Sequence, residues 1–370
     1  MLKIKPRVII GSSSLFLDTL RICAAFTVLY IHAFDRWFPT KAHPEYEPGE
    51  PSHAAVIIFF VLSGYVIAHT TISKNRGGAQ YAQARLSRLC SVVIPALVIT
   101  AVIQFVIGYL NPELLMDYSR SHSGVRYVLS GFFVNEVWLF SAAPPLNGSL
   151  WSLSFEFWYY AIFGLWFFRR GGWKSFILPV LACIIAGPKI LLMMPVWLAG
   201  YVAYILPRPS VKTVTAWLMV AGGLLLAWLA VEFVPSYPYR IGYVPLYYAN
   251  QFVTDWVVGV FIAAALWILP TGNSLSADLR ISAWVRKIAD LTFPLYVLHF
   301  PLLVLWRAVF GFRLNDATQL WEVIISVVIA SLLIGVILEK QRHLWSAFFK
   351  WLVGNAKDKV AAGSAAVKSN

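Results

Sequence analysis

Long apolar runs separated by short polar segments dominate the chain from end to end. Ten of these runs approach the roughly 20 residues that a helix needs to cross a bilayer core. They lie near 15–33, 54–72, 89–109, 150–168, 175–188, 190–206, 213–233, 246–269, 292–311 and 320–338. The fifth is short, and its border with the sixth falls at Gly187-Pro188-Lys189. The pattern predicts an all-α, polytopic integral membrane protein with about ten transmembrane helices. Residues 1–355 form one membrane-embedded domain, and the small, polar stretch 356–370 reads as a disordered cytoplasmic tail.

The segments between the runs refine this picture. With the N-terminus placed in the cytoplasm, 21 of the 30 basic residues fall on the cytoplasmic side. They sit at Lys3, Lys5 and Arg7, around Arg85 and Arg88, at Arg169, Arg170 and Lys174, at Arg208 and Lys212, near Arg286, and in the tail from Lys340. This positive-inside bias favours an even number of spans with both termini cytoplasmic. The first run is too long for a signal-peptide core and is read as a retained span. Residues 127–140 are apolar but short and carry Asn135 and Glu136, so they predict a re-entrant or interfacial element on the outer side. No internal repeat of the kind found in inverted-repeat transporters is visible.

Composition agrees with the membrane reading. Hydrophobic residues make up 59% of the chain and charged residues 13%, about half the charged share of an average soluble domain. The net charge of +13 is distributed between apolar runs, which argues against nucleic acid as a partner and for a lipid bilayer. Cys23, Cys90 and Cys183 lie in or beside apolar runs without zinc spacing. His43 and His53 also lack ligand spacing, so no metal is expected.

Ionisable residues inside spans are costly and mark functional sites. The first span carries Asp18, Arg21 and His32. At 100° per residue all three share one helix face, with Arg21 and His32 roughly 16 Å apart along the axis. On the residues alone two accounts stand: a stripe leading across the membrane, or an inner-end ion pair plus an interfacial histidine. Arg85 and Arg88 in RLSR share one face at the start of the third span, either as a phosphate clamp or as a positive-inside anchor. Glu156 follows Ser152 in the fourth span and is expected at the depth of His32, as a partner for it or for a neighbouring helix. His299 sits two residues before Pro301, whose ring frees a backbone carbonyl that an imidazole can bond. His69 and Asp255 are weaker candidates. Tyr237, Tyr239, Tyr243, Tyr247 and Tyr248 form an outer aromatic cluster, suited equally to sugar stacking and to a membrane belt.

Five stretches carry a resemblance: LDTLRICAAFTVLYIHAF (17–34), FFVLSGYVIA (59–68), RLSR (85–88), SLWSLSFEFWYY (149–160) and FPLYVLHFPL (293–302). In content and order they resemble acyltransferase family 3, the polytopic membrane O-acyltransferases of bacterial surface sugars, nodulation factors and macrolides. The resemblance implies an O-acetyltransferase of the bacterial inner membrane that modifies a polysaccharide or other saccharide acceptor. It implies acyl-CoA, most often acetyl-CoA, as the donor. His32 becomes the catalytic histidine, as general base or acyl carrier, with Arg21 and Glu156 beside it. Arg85 and Arg88 become the donor-binding pair, and Asp18, Ser152 and His299 supporting residues. Phe157 and Trp158 follow Glu156 where many relatives continue with Glu or Gln. The competing readings are a transporter or flippase of a lipid-linked sugar and a scaffold subunit.

Overall fold

The computed structural model describes residues 7–39, 50–73, 77–271 and 279–368, with side chains to Val353. Lys3, Lys5 and His43 lie outside the described residues. Twelve α-helices and three short 3-10 turns make up the described secondary structure, with no β-strand among them. In order the helices are α1 (Ser12–Trp37), α2 (Pro51–Ser73), α3 (Gly78–Leu110), α4 (Pro112–Asp117), α5 (Ser123–Gly131), α6 (Trp151–Phe167), α7 (Ile177–Ile205), α8 (Thr213–Phe233), α9 (Phe252–Ile268), α10 (Leu279–Asp290), α11 (Thr292–Phe310) and α12 (Ala317–Lys368). Among the described residues, seven helices are long and apolar enough to cross a membrane: α1, α2, α3, α7, α8, α11 and α12. The apolar α9 is shorter. Exposed apolar residues recur at helical spacing on outward faces, as at Val98, Val102, Phe105 and Tyr109 on α3 and Ile325, Ile329, Leu333 and Ile337 on α12. Such stripes suit lipid, the one solvent that does not penalise them.

Each of the ten apolar runs corresponds to a helix or half-helix, with two departures from expectation. The fifth and sixth runs are the two halves of α7, broken at Gly187 with φ 80°. The halves run in opposite senses along α6. Phe176 meets Trp166 at the last turn of α6, Gly187 reaches Trp138, and Trp197 and then Tyr201 pass Tyr159 and Phe163 on the way back. The first half, 177–186, rises only about 15 Å at 1.5 Å per residue, half the thickness of a bilayer core. It is therefore a partial span, contrary to its reading as a complete one. The break falls where the sequence places the border, because Gly187 tolerates the left-handed turn and Pro188 can restart a helix.

The tenth run also differs from expectation. It does not stop at 338, because α12 continues through the basic segment and packs along α3. Gln83 Nε2 donates to Ser346 O at 3.0 Å, and Gln341 Nε2 to Ser91 O at 3.4 Å. Pro95 frees that Ser91 carbonyl from its helical donor. The same logic recurs at Pro301, whose freed Val297 carbonyl accepts from Asn147 Nδ2 at 3.1 Å. Broken backbone bonds inside the bundle are thus satisfied by side chains of neighbouring helices.

Close packing joins α2 to α7. A Cβ added at Gly64 would lie 1.9 Å from Trp197 O, and one at Gly200 1.9 Å from Val61 O. Glycine at both places lets the two backbones touch, as in tight helix pairs within membranes. The expected re-entrant segment resolves into α5 followed by irregular chain through 147. Ser154 Oγ and Trp158 Nε1 donate to Phe133 O at 2.7 and 3.1 Å. Buried Glu136 pairs with buried Lys189 beside the α7 break. Burial pushes the Glu136 carboxyl up, and Lys189 opposes that shift. Asn135, Glu136 and residues 142–147 are buried in protein, where irregular backbone is tolerated, whereas Trp138, Leu139 and Phe140 are exposed.

Candidate active site

His32 leaves α1 on the side that meets α11. Its Nδ1 lies 2.9 Å from His299 Nε2, and His299 Nδ1 lies 2.6 Å from Tyr296 O. The carbonyl accepts only, so His299 Nδ1 carries a hydrogen and, in the neutral ring, Nε2 accepts. His32 Nδ1–H then donates to it. The chain of bonds leaves His32 Nε2 with a free lone pair, the tautomer of a general base. Sequence reading links the His299 ring to the carbonyl freed by Pro301. That carbonyl, Val297 O, goes instead to Asn147, and the imidazole takes Tyr296 O.

The His32 side chain borders a cavity of about 290 Å³. Arg36, Glu50, His53, Asp117, Arg120, Ser149, Trp151 and Tyr248 also line it. Arg36, one turn beyond His32, donates Nη1 to His32 O at 2.6 Å and lies 4.3 Å from the Phe300 ring centroid. The Tyr248 phenol can donate a hydrogen bond into this cavity.

A second, narrower cavity of about 70 Å³ lies toward the α3 end. Arg21, Arg85, Arg88, Ser63, Ser152, Glu156 and Tyr160 line it. Arg21 Nη1 is 3.9 Å from Asp18 Oδ1. Arg85 lies 5.7 Å from the Tyr160 ring centroid, and its buried Nε has no hydrogen-bond partner among the described residues. A buried, unsatisfied guanidinium donor is costly unless a ligand fills the site. Val56 and Tyr296 line both cavities and so form the waist between them. Tyr296 Oη donates to Ser149 O at 3.1 Å and lies 2.8 Å from Ser152 Oγ.

The structure therefore sorts the expected residues into two groups. Arg21, Arg85, Arg88 and Glu156 share the narrow cavity, with Asp18 behind Arg21. His32 faces the wide one with His299 bonded behind it, and Ser152 sits at the waist. Glu156 does not orient His32. It accepts from Ser63 Oγ at 2.9 Å and from Tyr160 Oη, and the histidine's partner is His299. The tyrosine cluster contributes Tyr248 to the wide cavity, whereas Tyr237, Tyr239 and Tyr243 are exposed. His69 bonds Tyr204 Oη at 3.1 Å, away from both cavities. Among the described residues, no cluster of three His, Cys, Asp or Glu side chains is arranged for a metal ion.

A family model described as an acyltransferase domain matches residues 14–340. The chain belongs to this acyltransferase family. Every residue that lines the two cavities lies within the matched acyltransferase region. The chain is also similar to an O-acetyl transferase of Shigella phage Sf6, with 29% identity over 197 residues. That alignment covers 49% of this chain and 56% of the phage protein, so it spans about half the length of each. No solved structure matches the chain.

Sequence reasoning missed Arg36, although it lies one turn from His32 on nearly the same helix face. It named His53 and Asp255 separately and did not pair them. The two are 202 positions apart, and no local pattern connects them.

Proposed function

We propose that this acyltransferase moves an acyl group, acetyl in the first instance, from cytoplasmic acyl-CoA to a hydroxyl of a saccharide at the outer face of a bacterial inner membrane. The observation that carries the reading is the tautomer chain from Tyr296 O through His299 to His32, which presents a basic Nε2 to a cavity meeting an arginine-lined one at a shared waist. Arg85 and Arg88 hold the donor's phosphates by bidentate, charge-assisted hydrogen bonds. The pantetheine arm passes Arg21 and Glu156 and carries the thioester through the waist at Val56 and Tyr296. His32 Nε2 takes the proton of the acceptor hydroxyl as its oxygen attacks the thioester carbonyl. The lone pair on Nε2 serves this task directly and requires no covalent acyl-histidine. Arg36 lies close enough to the base to attract an acceptor or a developing oxyanion. The name of the phage relative supports acetyl as the group transferred.

The test is reconstitution in liposomes with labelled acetyl-CoA on one side and an oligosaccharide acceptor on the other. Transfer of label to the glycan, lost in His32→Ala at unchanged protein level, is the expected result. Undiminished transfer by His32→Ala removes His32 from the mechanism. Movement of unmodified glycan without label transfer replaces the enzyme by a transporter.

A further inference from the structure

The wide cavity holds a second imidazole that the mechanism above leaves idle. His53 Nε2 lies 3.0 Å from Asp255 Oδ2, with the two residues 3% and 1% exposed. Asp255 is itself held, because Gln251 Nε2 donates to its Oδ1 at 2.9 Å and Ser236 Oγ donates to Gln251 Oε1 at 2.9 Å. The His53 ring lies parallel to Trp151, with centroids 5.3 Å apart and planes at 9°. Trp151 in turn stacks on Tyr248 at 4.6 Å. The ring is thus fixed in plane by stacking and in rotation by the carboxylate, and Nδ1 remains as its other polar atom. Neither residue falls in the five stretches that carry the family resemblance.

A carboxylate-backed histidine in a substrate cavity is an arrangement for moving protons, because the carboxylate fixes the tautomer and balances the imidazolium charge. His32 has a different backing, another imidazole and then a carbonyl. The two rings in one cavity are therefore equipped for different halves of one reaction. Their placement along the path agrees. His53 is one helical turn from Val56, which lines the waist. A thioester entering through the waist leads with its acyl carbon, and its sulfur trails toward Val56.

We propose that His53, oriented by Asp255, is the proton donor to the departing thiolate, resting on the acyl-CoA reading above. The acceptor O–H bond breaks to His32 Nε2 while the oxygen bonds to the carbonyl carbon. The carbon–sulfur bond then breaks, its electron pair stays on sulfur, and sulfur takes the proton of His53 Nδ1. Asp255 remains a carboxylate throughout. One proton then passes from His32 to His53 through cavity water, so the acceptor's hydroxyl proton ends on the CoA thiol and both rings are reset.

The experiment compares two donors in proteoliposomes carrying the full chain. Acetyl-CoA leaves as a basic thiolate that needs a proton, whereas S-(4-nitrophenyl) thioacetate leaves without one. His53→Gln is expected to lower turnover with acetyl-CoA by about 100-fold, as loss of a general acid does, and turnover with the aryl thioester by less than about tenfold on the same scale. Asp255→Asn, which keeps the imidazole, shows the same donor dependence at smaller amplitude. His32→Ala loses both donors. Equal losses on the two donors in His53→Gln and Asp255→Asn, or wild-type turnover of acetyl-CoA by His53→Gln, overturn the proposal. Absence of label transfer from acetyl-CoA by the wild type is the separate failure of the functional reading itself.

Discussion

His32 and His299 face each other across α1 and α11 with 2.9 Å between Nδ1 and Nε2. The pair joins residues 267 positions apart and decides which nitrogen of His32 is basic. Removing the acceptor at His299 frees His32 to rotate and to switch tautomer. His299→Ala is therefore expected to cut the rate of acetyl transfer by about 100-fold with little change in KM for the donor. His299→Gln offers an amide oxygen in place of Nε2 and recovers part of that loss. Steady-state assays at saturating acetyl-CoA check both. Equal rates in the Ala and Gln variants would detach the pair from catalysis.

Arg85 and Arg88 line the narrow cavity, and Arg85 Nε is buried without a hydrogen-bond partner among the described residues. Neutralising both removes two forked donors and leaves the acceptor cavity intact. Arg85→Ala with Arg88→Ala is expected to raise KM for acetyl-CoA by more than about tenfold, the equivalent of one lost charge-assisted hydrogen bond. KM for the glycan stays within about twofold. Acetyl-pantetheine, which lacks the nucleotide phosphates, is the control donor, and its use is expected to be indifferent to the double substitution. A shift in the glycan KM alone would place these arginines elsewhere in the cycle.

The helices were legible in the sequence because a bilayer demands long apolar runs, and that demand leaves a continuous local signal. The arginine pair was legible for the same reason: spacing of three along one helix fixes a shared face. What stayed hidden depends on which helices meet. Glu156 reads as an outer partner of His32 from its distance to the start of the fourth run. In the structure Ser63 of α2 and Tyr160 of its own helix take the carboxylate, and no depth count reveals that. The turn at Gly187 was visible as a border and the fifth run as a short one, but not that the chain doubles back there and leaves the first half of α7 a partial span. The run 175–188 begins inside the 3-10 turn Trp173–Phe176, so its first two residues do not extend the helix. His53 and Asp255 were each visible as polar residues in apolar surroundings. Only the packing of α2 on α9 makes them a pair.

Gly64 and Gly200 offer a test of the fold independent of the chemistry. A methyl group at Gly64 meets the Trp197 carbonyl at 1.9 Å, a backbone atom that cannot swing aside. Gly64→Ala is expected to lower stability by about 1–3 kcal/mol, the usual cost of overpacking, and to reduce the yield of folded protein. Gly222, with no atom of the described residues within 4 Å of an added Cβ, is the control on α8. Gly222→Ala is expected to leave the thermal midpoint in detergent unchanged or slightly raised, since alanine favours a helix. Equal midpoints for the two variants would mean that α2 and α7 are not in backbone contact.

Lys189 and Glu136 form an ion pair with neither side chain exposed, at the break in α7. Lys189 Nζ also donates to Phe140 O at 2.8 Å, and Ser141 Oγ donates to Glu136 Oε1 at 2.6 Å. The pair therefore fastens the irregular segment 132–147 to the turn, and that segment ends at Asn147, Gly148 and Ser149 beside the His299 ring. Removing one partner leaves the other charge buried and alone, which costs about 3–5 kcal/mol. Lys189→Met is expected to be poorly folded, and Glu136→Gln similarly weakened. The double variant Glu136→Gln with Lys189→Met removes both charges and is expected to recover most of the lost thermal stability. Its acetyl transfer should recover along with its stability, because the pair anchors the wall of the cavity and takes no part in the chemistry. Recovered stability with transfer still abolished would instead give the pair a direct part in the reaction.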